Sequence, residues 1–187
     1  MHNLLLISDT HFSGWNKLVY FDREEHKVFF TKEAKSTLAS IPKLAAQWKI
    51  VHEFKTTTDY YMTTDDPHVS LWMSTSSNNY ILAIFLQHPN IALEVLVGLR
   101  SYKLEGAQLP ELGEWTRIEI SHEEEEGGKY FISFSVGGKQ MGKREVDDYQ
   151  LRNLRGVKLN TGAMDGMADP PPSQPGFIKG LIALEKQ

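Results

Sequence analysis

Glu114-Trp-Thr-Arg-Ile-Glu-Ile-Ser-His122 and Lys129-Tyr-Phe-Ile-Ser-Phe-Ser-Val136 are neighbouring stretches in which apolar and polar residues alternate. An acidic turn that ends in glycine, residues 123–128, separates them, and Gly137-Gly138-Lys139 follows the second stretch. Alternation with a period of two is typical of a strand with one buried face, and short glycine-containing connections are typical of hairpins. The two stretches therefore predict antiparallel strands joined by a tight turn.

Strand patterns continue on both sides of this hairpin. They occur at residues 17–21, 27–31, 48–55, 69–74, 80–86, 91–97, 99–103, 154–159 and 177–184. The first two flank a polar turn and predict an N-terminal hairpin, whereas residues 31–38 are the one stretch that favours a short helix. Because no βαβ alternation is present, the pattern indicates an all-β fold. We expect an antiparallel β-sandwich of jelly-roll type with at most one or two short helices.

The bulk composition narrows the class of protein. A chain of 187 residues is most simply one domain, residues 1–187, with the N-terminal hairpin and short helix in 1–47 and the main sandwich in 48–187. The net charge of −4 argues against nucleic acid as a partner, because phosphate binding needs a clustered basic surface. The absence of cysteine excludes disulfides, thiolate metal sites and cysteine nucleophiles.

No apolar run in the sequence approaches the length of a membrane span, so none is predicted. The cellular location stays open. An extracellular one is favoured if the N-terminus is that of a processed mature chain.

Asp9-Thr10-His11 follows a short apolar run and resembles the first motif of calcineurin-like metallophosphoesterases. In that family an Asp and a His delivered by a strand bind a two-metal centre. Two ligands cannot hold two metals, and the later Gly-Asp, Gly-Asn-His and Gly-His-x-His blocks do not occur in this sequence. We therefore interpret the motif as an ordinary turn at a strand end.

Two polar loops carry side chains that could bind a ligand. They are Tyr60, Asp65, Asp66 and His68 in residues 59–68, and His88 and Asn90 in residues 87–90. Carboxylates suit calcium or sugar hydroxyls, and tyrosine rings suit the apolar face of a sugar. A solvated loop without a ligand explains the same composition, and both interpretations stay open.

Two features concern the core. His52 alternates with Ile50 and Phe54, so we predict a buried, hydrogen-bonded core histidine instead of a metal ligand or a catalytic base. Residues 80–86 and 91–97 are almost continuously apolar. Such strands are covered on both faces, by loops, by a partner subunit or by an apolar ligand.

From Trp48 to Glu185 the chain resembles laminin-G-like and pentraxin-like domains of the concanavalin A-like superfamily. The matching positions are Gly113-Glu-Trp115, Ile118, Ile120, Tyr130, Ile132, Phe134, Val136 and Gly138, with Pro175-Gly-Phe-Ile-Lys-Gly-Leu181 as a closing strand beside the first one. The resemblance implies a laminin-G-like core over 48–187 in which these are core and turn residues. Members typically bind carbohydrate, matrix or cell-surface ligands, often with calcium. No calcium motif of the family maps onto this sequence residue by residue.

The leading functional prediction is a non-enzymatic, lectin-like module that binds a carbohydrate or cell-surface ligand through loops at one end of the sandwich. The predicted ligand-binding residues are Tyr60, Asp65, Asp66, His68, His88 and Asn90. Calcium is an optional cofactor of this site, and no catalytic residue is predicted. A glycoside hydrolase is less favoured, because no spacing singles out two carboxylates that must face each other.

Two alternatives remain from the sequence. The first is a carrier of an apolar small molecule, such as a pigment or lipid, in a slot lined by Trp15, Tyr20, Phe30, Trp72 and Phe85. The second is a structural or assembly subunit whose apolar sheet face is a protein interface, in keeping with a homo-oligomer.

Overall fold

The computed structural model describes residues 13–21, 26–28, 35–57, 68–76, 80–87, 90–97, 100–108, 111–146, 151–162, 164 and 176–186. Within these residues it contains thirteen β-strands and no α-helix. The strands are β1 (Asn16–Phe21), β2 (His26–Val28), β3 (Lys35–Leu44), β4 (Gln47–Thr56), β5 (His68–Ser74), β6 (Tyr80–Gln87), β7 (Asn90–Val97), β8 (Arg100–Gln108), β9 (Thr116–Glu125), β10 (Lys129–Val136), β11 (Lys139–Glu145), β12 (Leu154–Gly162) and β13 (Gly176–Lys186). The all-β prediction is confirmed.

The strands form two antiparallel sheets. One has seven strands in the order β1-β13-β4-β9-β10-β11, with β2 also paired to β13, and the other has six in the order β3-β12-β5-β6-β7-β8. The hairpin predicted first is β9–β10, which pairs from Lys129 opposite Glu125 to Val136 opposite Ile118. The predicted closing strand is β13, and it lies beside β1. The antiparallel sandwich is therefore confirmed, together with the positions of its key strands.

The main core lies between the two sheets. It draws chiefly on β4, β9, β10 and β13 from one sheet and on β5, β6, β7 and β12 from the other. Along β4, Trp48, Ile50, His52 and Phe54 are all buried, which is the face that the alternation predicts. The indole Nε1 of Trp48 donates a hydrogen bond of 3.0 Å to the carbonyl oxygen of Leu151. This bond ties the start of β4 to the chain segment that enters β12.

The predicted N-terminal hairpin of residues 17–21 with 27–31 is wrong. β1 pairs with residues 181–185 of β13, and β2 pairs with residues 176–178 of the same strand. Since β4 occupies the other edge of β13, β1 and β2 lie one after the other along a single edge and do not pair with each other. The polar turn between them suggested a local partner, but the more apolar β13 provides a distant one.

The predicted short helix at residues 31–38 is also wrong where the structure describes it, from Lys35 onward. Those residues begin β3, which pairs with β12 along almost its whole length. Ile41 and Leu44 are buried in the main core, so packing outweighs the weak local helix preference. Pro42 is tolerated because β3 is the edge strand of its sheet.

Contacts between two edge strands show which ends of the sheets coincide. A side chain at Gly142 of β11 would lie 3.0 Å from the Cβ of Leu104 of β8. Further along both strands, the Arg144 guanidinium lies 4.6 Å from the ring centroid of Tyr102. The start of β11 therefore lies at the same end of the sandwich as the end of β8. We call it the loop end. It also holds the last residue of β4 and the first residues of β5, β7, β9 and β13, namely Thr56, His68, Asn90, Thr116 and Gly176.

Candidate functional site

The loop end gathers the strand ends that flank the two predicted ligand loops. His68 opens β5 and pairs with Leu86, and Gln87 pairs with Asn90 across the next turn. The structure thus places the borders of both loops at one end of the six-stranded sheet. His68 itself is only 2% exposed. Tyr60, Asp65, Asp66 and His88 lie outside the described residues, as does the side chain of Asn90, so this ligand set stays a prediction.

A half-buried tryptophan lies at the same end, on the outer face of the seven-stranded sheet. Trp115 directly precedes β9 and follows a turn in which the Glu114 amide donates to the Glu111 carbonyl at 3.2 Å. The Gly113 amide donates to the Thr56 carbonyl at 3.0 Å, which fastens this turn to the end of β4. Gly113 has a φ of +82°, a left-handed conformation that glycine adopts without strain. The turn therefore holds Trp115 at a fixed place beside β4.

Two lysine side chains lie over the ring of Trp115. The Nζ atom of Lys179 is 4.0 Å from the ring centroid and that of Lys55 is 4.7 Å from it. Lys55 also lies 4.9 Å from the ring centroid of Phe177, and Lys179 forms an ion pair of 3.2 Å with Glu53. We call Glu53, Lys55, Trp115, Phe177 and Lys179 the tryptophan cluster. Each cation–π contact contributes roughly 0.5–1 kcal/mol at an exposed position.

Cross-strand register explains why these residues meet. Phe177 lies opposite Lys55, and Lys179 lies opposite Glu53, in the β13–β4 pair. All four occupy alternate positions that point away from the core, so their side chains form two adjacent rows. Trp115 extends these rows from β9, on the far side of β4. The outer face of the sheet at the loop end is therefore aromatic and charged.

Gly176 allows β13 to pack closely against β4 beneath this cluster. A Cβ atom there would overlap the Lys55 carbonyl oxygen and lie 3.0 Å from Cζ of Phe54. We expect Gly176→Ala to lower the free energy of unfolding by about 2–3 kcal/mol, because the backbone of β4 must move. Urea unfolding measures this loss. Gly180→Ala in the same strand is the control: its space is open and only its φ of +59° opposes a side chain, so about 1 kcal/mol is expected. Equal losses for both variants would contradict the clash.

The aromatic residues of the predicted apolar slot lie on two different faces. Trp72 and Phe85 belong to one buried cluster on the outer face of the six-stranded sheet, whose other buried members are Val69, Ala83 and Met164. Trp15 packs on the outer face of the seven-stranded sheet instead, against Val51, Ile182 and Leu184. Phe30 and the side chain of Tyr20 lie outside the described residues. The structure therefore brings Trp72 and Phe85 together and separates them from Trp15 by the full thickness of the sandwich.

His52 is fully buried, as predicted, but it is not hydrogen-bonded as predicted. Its exposed fraction is 0%, and within the described residues neither ring nitrogen has a hydrogen-bond partner. Burial lowers its pKa from 6.5 to about 3, since the charged imidazolium would lose its hydration. The ring is therefore neutral at physiological pH, and its place between the sheets gives it no access to a ligand.

A second buried histidine belongs to a stack of rings at the opposite end from the loop end. The His122 ring centroid lies 5.6 Å from that of Trp48 and 5.1 Å from that of Tyr130, and the Arg152 guanidinium covers Tyr130 at 3.8 Å. His122 Nδ1 donates to the Ala46 carbonyl at 2.7 Å. Burial lowers the pKa of His122, and the nearby charge of Arg152 lowers it further against the opposite effect of that hydrogen bond. This histidine is a packing residue.

Neither a metal cluster nor a membrane-spanning helix occurs in the part of the chain that the structure describes. No three His, Cys, Asp or Glu side chains among these residues are placed to hold a metal ion. Calcium therefore stays a prediction for the loops that carry Asp65 and Asp66. No helix among the described residues is long and apolar enough to cross a membrane.

The tryptophan cluster is a feature that the sequence interpretation missed. The pattern assigned Trp115 to the core and turns, together with Ile118, Ile120 and Phe134. The last three are indeed buried, with an exposed fraction of 0%. A signal was nevertheless present: the apolar residues Ile118 and Ile120 of β9 have even numbers, so the odd-numbered Trp115 belongs to the outward row.

Comparison with known proteins identifies the type of β-sandwich that this chain forms. No protein-family model matches the chain, and no curated protein is similar to it in sequence. Among solved structures, a heptameric pentraxin from Limulus polyphemus is similar with a TM-score of 0.56 and 13% identity, covering 88% of this chain and 73% of the pentraxin. Domains LG4–5 of the mouse laminin α1 chain are similar with a TM-score of 0.55 and 15% identity, covering 85% of this chain. The chain thus has the concanavalin A-like jelly-roll fold, and the resemblance to pentraxin-like and laminin-G-like domains is confirmed.

The similar structures differ in length and in activity. This chain spans 42% of the laminin chain. An endo-β-1,4-glucuronan lyase from Trichoderma reesei is similar over 92% of this chain and 96% of its own length, with a TM-score of 0.56 and 8% identity. A pentraxin, laminin domains and an enzyme therefore share this scaffold, and identities this low show the fold alone.

Proposed function

We propose that the chain is a non-enzymatic, lectin-like module that binds carbohydrate at the loop end of the sandwich. The observation that carries the proposal is Trp115, a half-buried indole held on the sheet surface by the turn at Gly113. A tryptophan ring offers a rigid apolar face that fits the C–H face of a pyranose, and it has only two side-chain torsions to order on binding. The polar neighbours needed to orient sugar hydroxyls lie on either side of it.

Two further considerations support a carbohydrate ligand. The cluster lies at the end of the sandwich from which the segments with Tyr60, Asp65, Asp66 and His88 extend, so ring and loops could act on one ligand. The glucuronan lyase, which is similar in fold, acts by its name on a polysaccharide, and this supports a carbohydrate ligand. We propose binding without turnover.

Trp115→Ala is expected to weaken polysaccharide binding at least about tenfold, equivalent to about 1.4 kcal/mol, by removing the stacking surface. A glycan array identifies bound glycans, and isothermal titration calorimetry gives the affinity of the wild-type chain and the variant. Trp15→Ala is a matched control: Trp15 lies on the outer face of the same sheet, under the Lys49 ammonium at 5.0 Å, but at the opposite end. This control should bind as the wild-type chain does.

Three results would contradict the proposed function. One is a wild-type chain that binds neither neutral nor acidic glycans on the array. Another is equal affinity of Trp115→Ala and Trp15→Ala, which would mean that the glycan does not bind at the loop end. The third is shortening of a bound polysaccharide on prolonged incubation, measured by size-exclusion chromatography, which would indicate an enzyme.

A further inference from the structure

We propose that the tryptophan cluster selects neutral glycans, and that the ion pair of Lys179 with Glu53 binds two adjacent hydroxyl groups of a pyranose whose ring stacks on Trp115. One hydroxyl donates a hydrogen bond to the Glu53 carboxylate, and its neighbour accepts one from the Lys179 ammonium. The inference rests on the proposed carbohydrate-binding function and deepens it, because it names a ligand class and the two side chains that determine specificity.

The first argument is that charge beside the indole ring of the cluster is compensated. The Lys179 ammonium lies 3.2 Å from the Glu53 carboxylate, and Arg117, opposite Glu53 on β9, forms an ion pair of 3.3 Å with Glu119. The exposed Glu114 lies in the preceding turn. These carboxylates repel an acidic sugar and the paired cations repel a basic one, whereas a neutral sugar meets neither opposing effect. The arrangement therefore favours an uncharged ligand.

The second argument is the hydrogen-bonding capacity that remains in the ion pair. The side chains of Lys179 and Glu53 are 38% and 37% exposed, so both reach solvent. An ammonium group has three donors and a carboxylate has two acceptor oxygens, so one contact between them leaves sites for a ligand. Hydrogen bonds to charged groups are stronger than those between neutral groups. A donor and an acceptor held 3.2 Å apart also match the separation of two gauche hydroxyl oxygens on adjacent ring carbons.

The third argument is the contrast with Trp15, the other tryptophan described on this outer face. Its lysine partner, Lys49, is shared by Glu119 at 3.0 Å and Glu123 at 3.6 Å, and the Lys49 side chain is 17% exposed. Two carboxylates thus occupy a lysine that is less than half as exposed as Lys179. The ion pair of the tryptophan cluster is therefore the better placed of the two to exchange water for sugar hydroxyls.

The indole face can become free without any change in the sheet. Lys179 Nζ lies 4.0 Å from the ring centroid of Trp115 and contacts Glu53 at the same time. Cation–π contacts at exposed sites are weak, and a lysine stem is flexible. The ammonium can therefore move from the ring to a sugar hydroxyl while it stays beside Glu53, and the pyranose takes its place on the indole. Lys55 contacts the rings of Trp115 and Phe177 and takes no part in the proposed hydrogen bonds.

The test uses one polymer in two charge states, compared by isothermal titration calorimetry. Alginate is a polyuronate, and reduction of its carboxyl groups to primary alcohols gives a neutral polymer that keeps the adjacent ring hydroxyls. We expect the wild-type chain to bind the reduced polymer at least about tenfold more tightly than alginate. Its affinity for the reduced polymer should change little as salt is raised, because no net charge is neutralised on binding.

Glu53→Gln separates a role in specificity from a structural role. The change removes the carboxylate that accepts a hydroxyl and deprives Lys179 of that ion-pair partner. Affinity for the reduced polymer should fall at least about fivefold while affinity for alginate rises, so the preference is lost. Glu125→Gln is the matched control, since Glu125 forms an ion pair with Lys143 at the opposite end of the sheet. This control should keep the preference.

The outcomes separate this inference from the proposed function. Equal binding of both polymers by the wild-type chain, or tighter binding of alginate, overturns the neutral-glycan inference and leaves the lectin proposal standing. Binding of neither polymer also overturns the inference, and it overturns the proposed function only when the glycan array reports no bound glycan. Equal effects of Glu53→Gln and Glu125→Gln overturn the role of the ion pair. Should Glu53→Gln fail to fold, Lys179→Gln removes the donor of the pair and must weaken binding of the reduced polymer.

Discussion

Replacing His52 by leucine is expected to raise the free energy of unfolding at neutral pH by about 1–2 kcal/mol and to remove much of the protein's sensitivity to acid. His52 is fully buried between Ile50 and Phe54, and within the described residues neither ring nitrogen has a hydrogen-bond partner. A buried polar group without a partner costs about 1–3 kcal/mol. Leucine is apolar and of similar volume, so it removes that cost without leaving a large cavity.

The acid sensitivity follows from the same burial. The pKa of His52 is about 3 in the folded protein, against an ordinary value of 6.5. Between these values the unfolded chain binds a proton that the folded chain does not bind. The stability contributed by the neutral ring is therefore complete above pH 6.5 and is lost as the pH falls toward 3. At about 1.4 kcal/mol for each pKa unit, the full loss is about 5 kcal/mol.

Urea unfolding at pH 7, 5 and 4 measures both effects. The difference between the wild-type chain and His52→Leu should widen as the pH falls, because only the wild-type chain carries the buried imidazole. His122→Leu is the contrasting variant: it loses the hydrogen bond to Ala46, so it should be destabilised at pH 7. A constant difference between the wild-type chain and His52→Leu at all three pH values would refute the assignment of acid sensitivity to His52.

Trp48→Ala is expected to lower the free energy of unfolding by about 3–5 kcal/mol. Trp48 is 0% exposed, and it is the first core residue of β4. Its removal leaves a large cavity, deprives the Leu151 carbonyl of its donor at 3.0 Å and leaves the His122 ring unsupported on one side. Because β4 lies between β13 and β9, a loss at this position weakens two strand pairs together.

Chemical unfolding monitored by circular dichroism measures the loss. Trp48→Phe is the matched variant, since it keeps an aromatic ring and removes the indole N–H. It should cost about 1–2 kcal/mol for the hydrogen bond alone. Trp115→Ala tests whether the loss depends on burial, because removing a half-buried surface indole should lower the free energy of unfolding much less than removing the core one. A Trp48→Ala chain within 1 kcal/mol of the wild-type chain would contradict this account of the core.

The sequence was a good guide wherever a strand has one inward and one outward face. In β9 and β4 the even-numbered apolar residues, such as Ile120 and Ile50, are buried, and the alternation predicted this directly. β3 was mistaken for a helix because its burial is decided by β12, more than a hundred residues away along the chain. β1 and β2 were mistaken for a hairpin for the same reason. Long-range partners leave no local trace in the sequence.

The candidate site was less predictable than the fold, because it depends on register. Lys179 and Phe177 point outward at odd positions, but the pairing shifts between Lys179 and Ile182, and beyond that shift the outward residues have even numbers. Gly180, with a φ of +59°, lies in this irregularity. Periodicity alone cannot place such a shift. The convergence of Lys55 and Lys179 on one ring therefore emerged only from the strand pairing.

The position of β13 in its sheet has a consequence for how the protein is made. This strand lies between β1 and β4, yet it leaves the ribosome long after both of them. β4, β9, β10 and β11 can pair as they are synthesised. β1 and β2 cannot pair until β13 has been made, and until then one edge of β4 has no partner strand. Closure of the sandwich is consequently a late step, which follows the pairing of β4 with β9. Until it occurs, the nascent chain exposes an unpaired strand edge, and holdase chaperones would be expected to bind there.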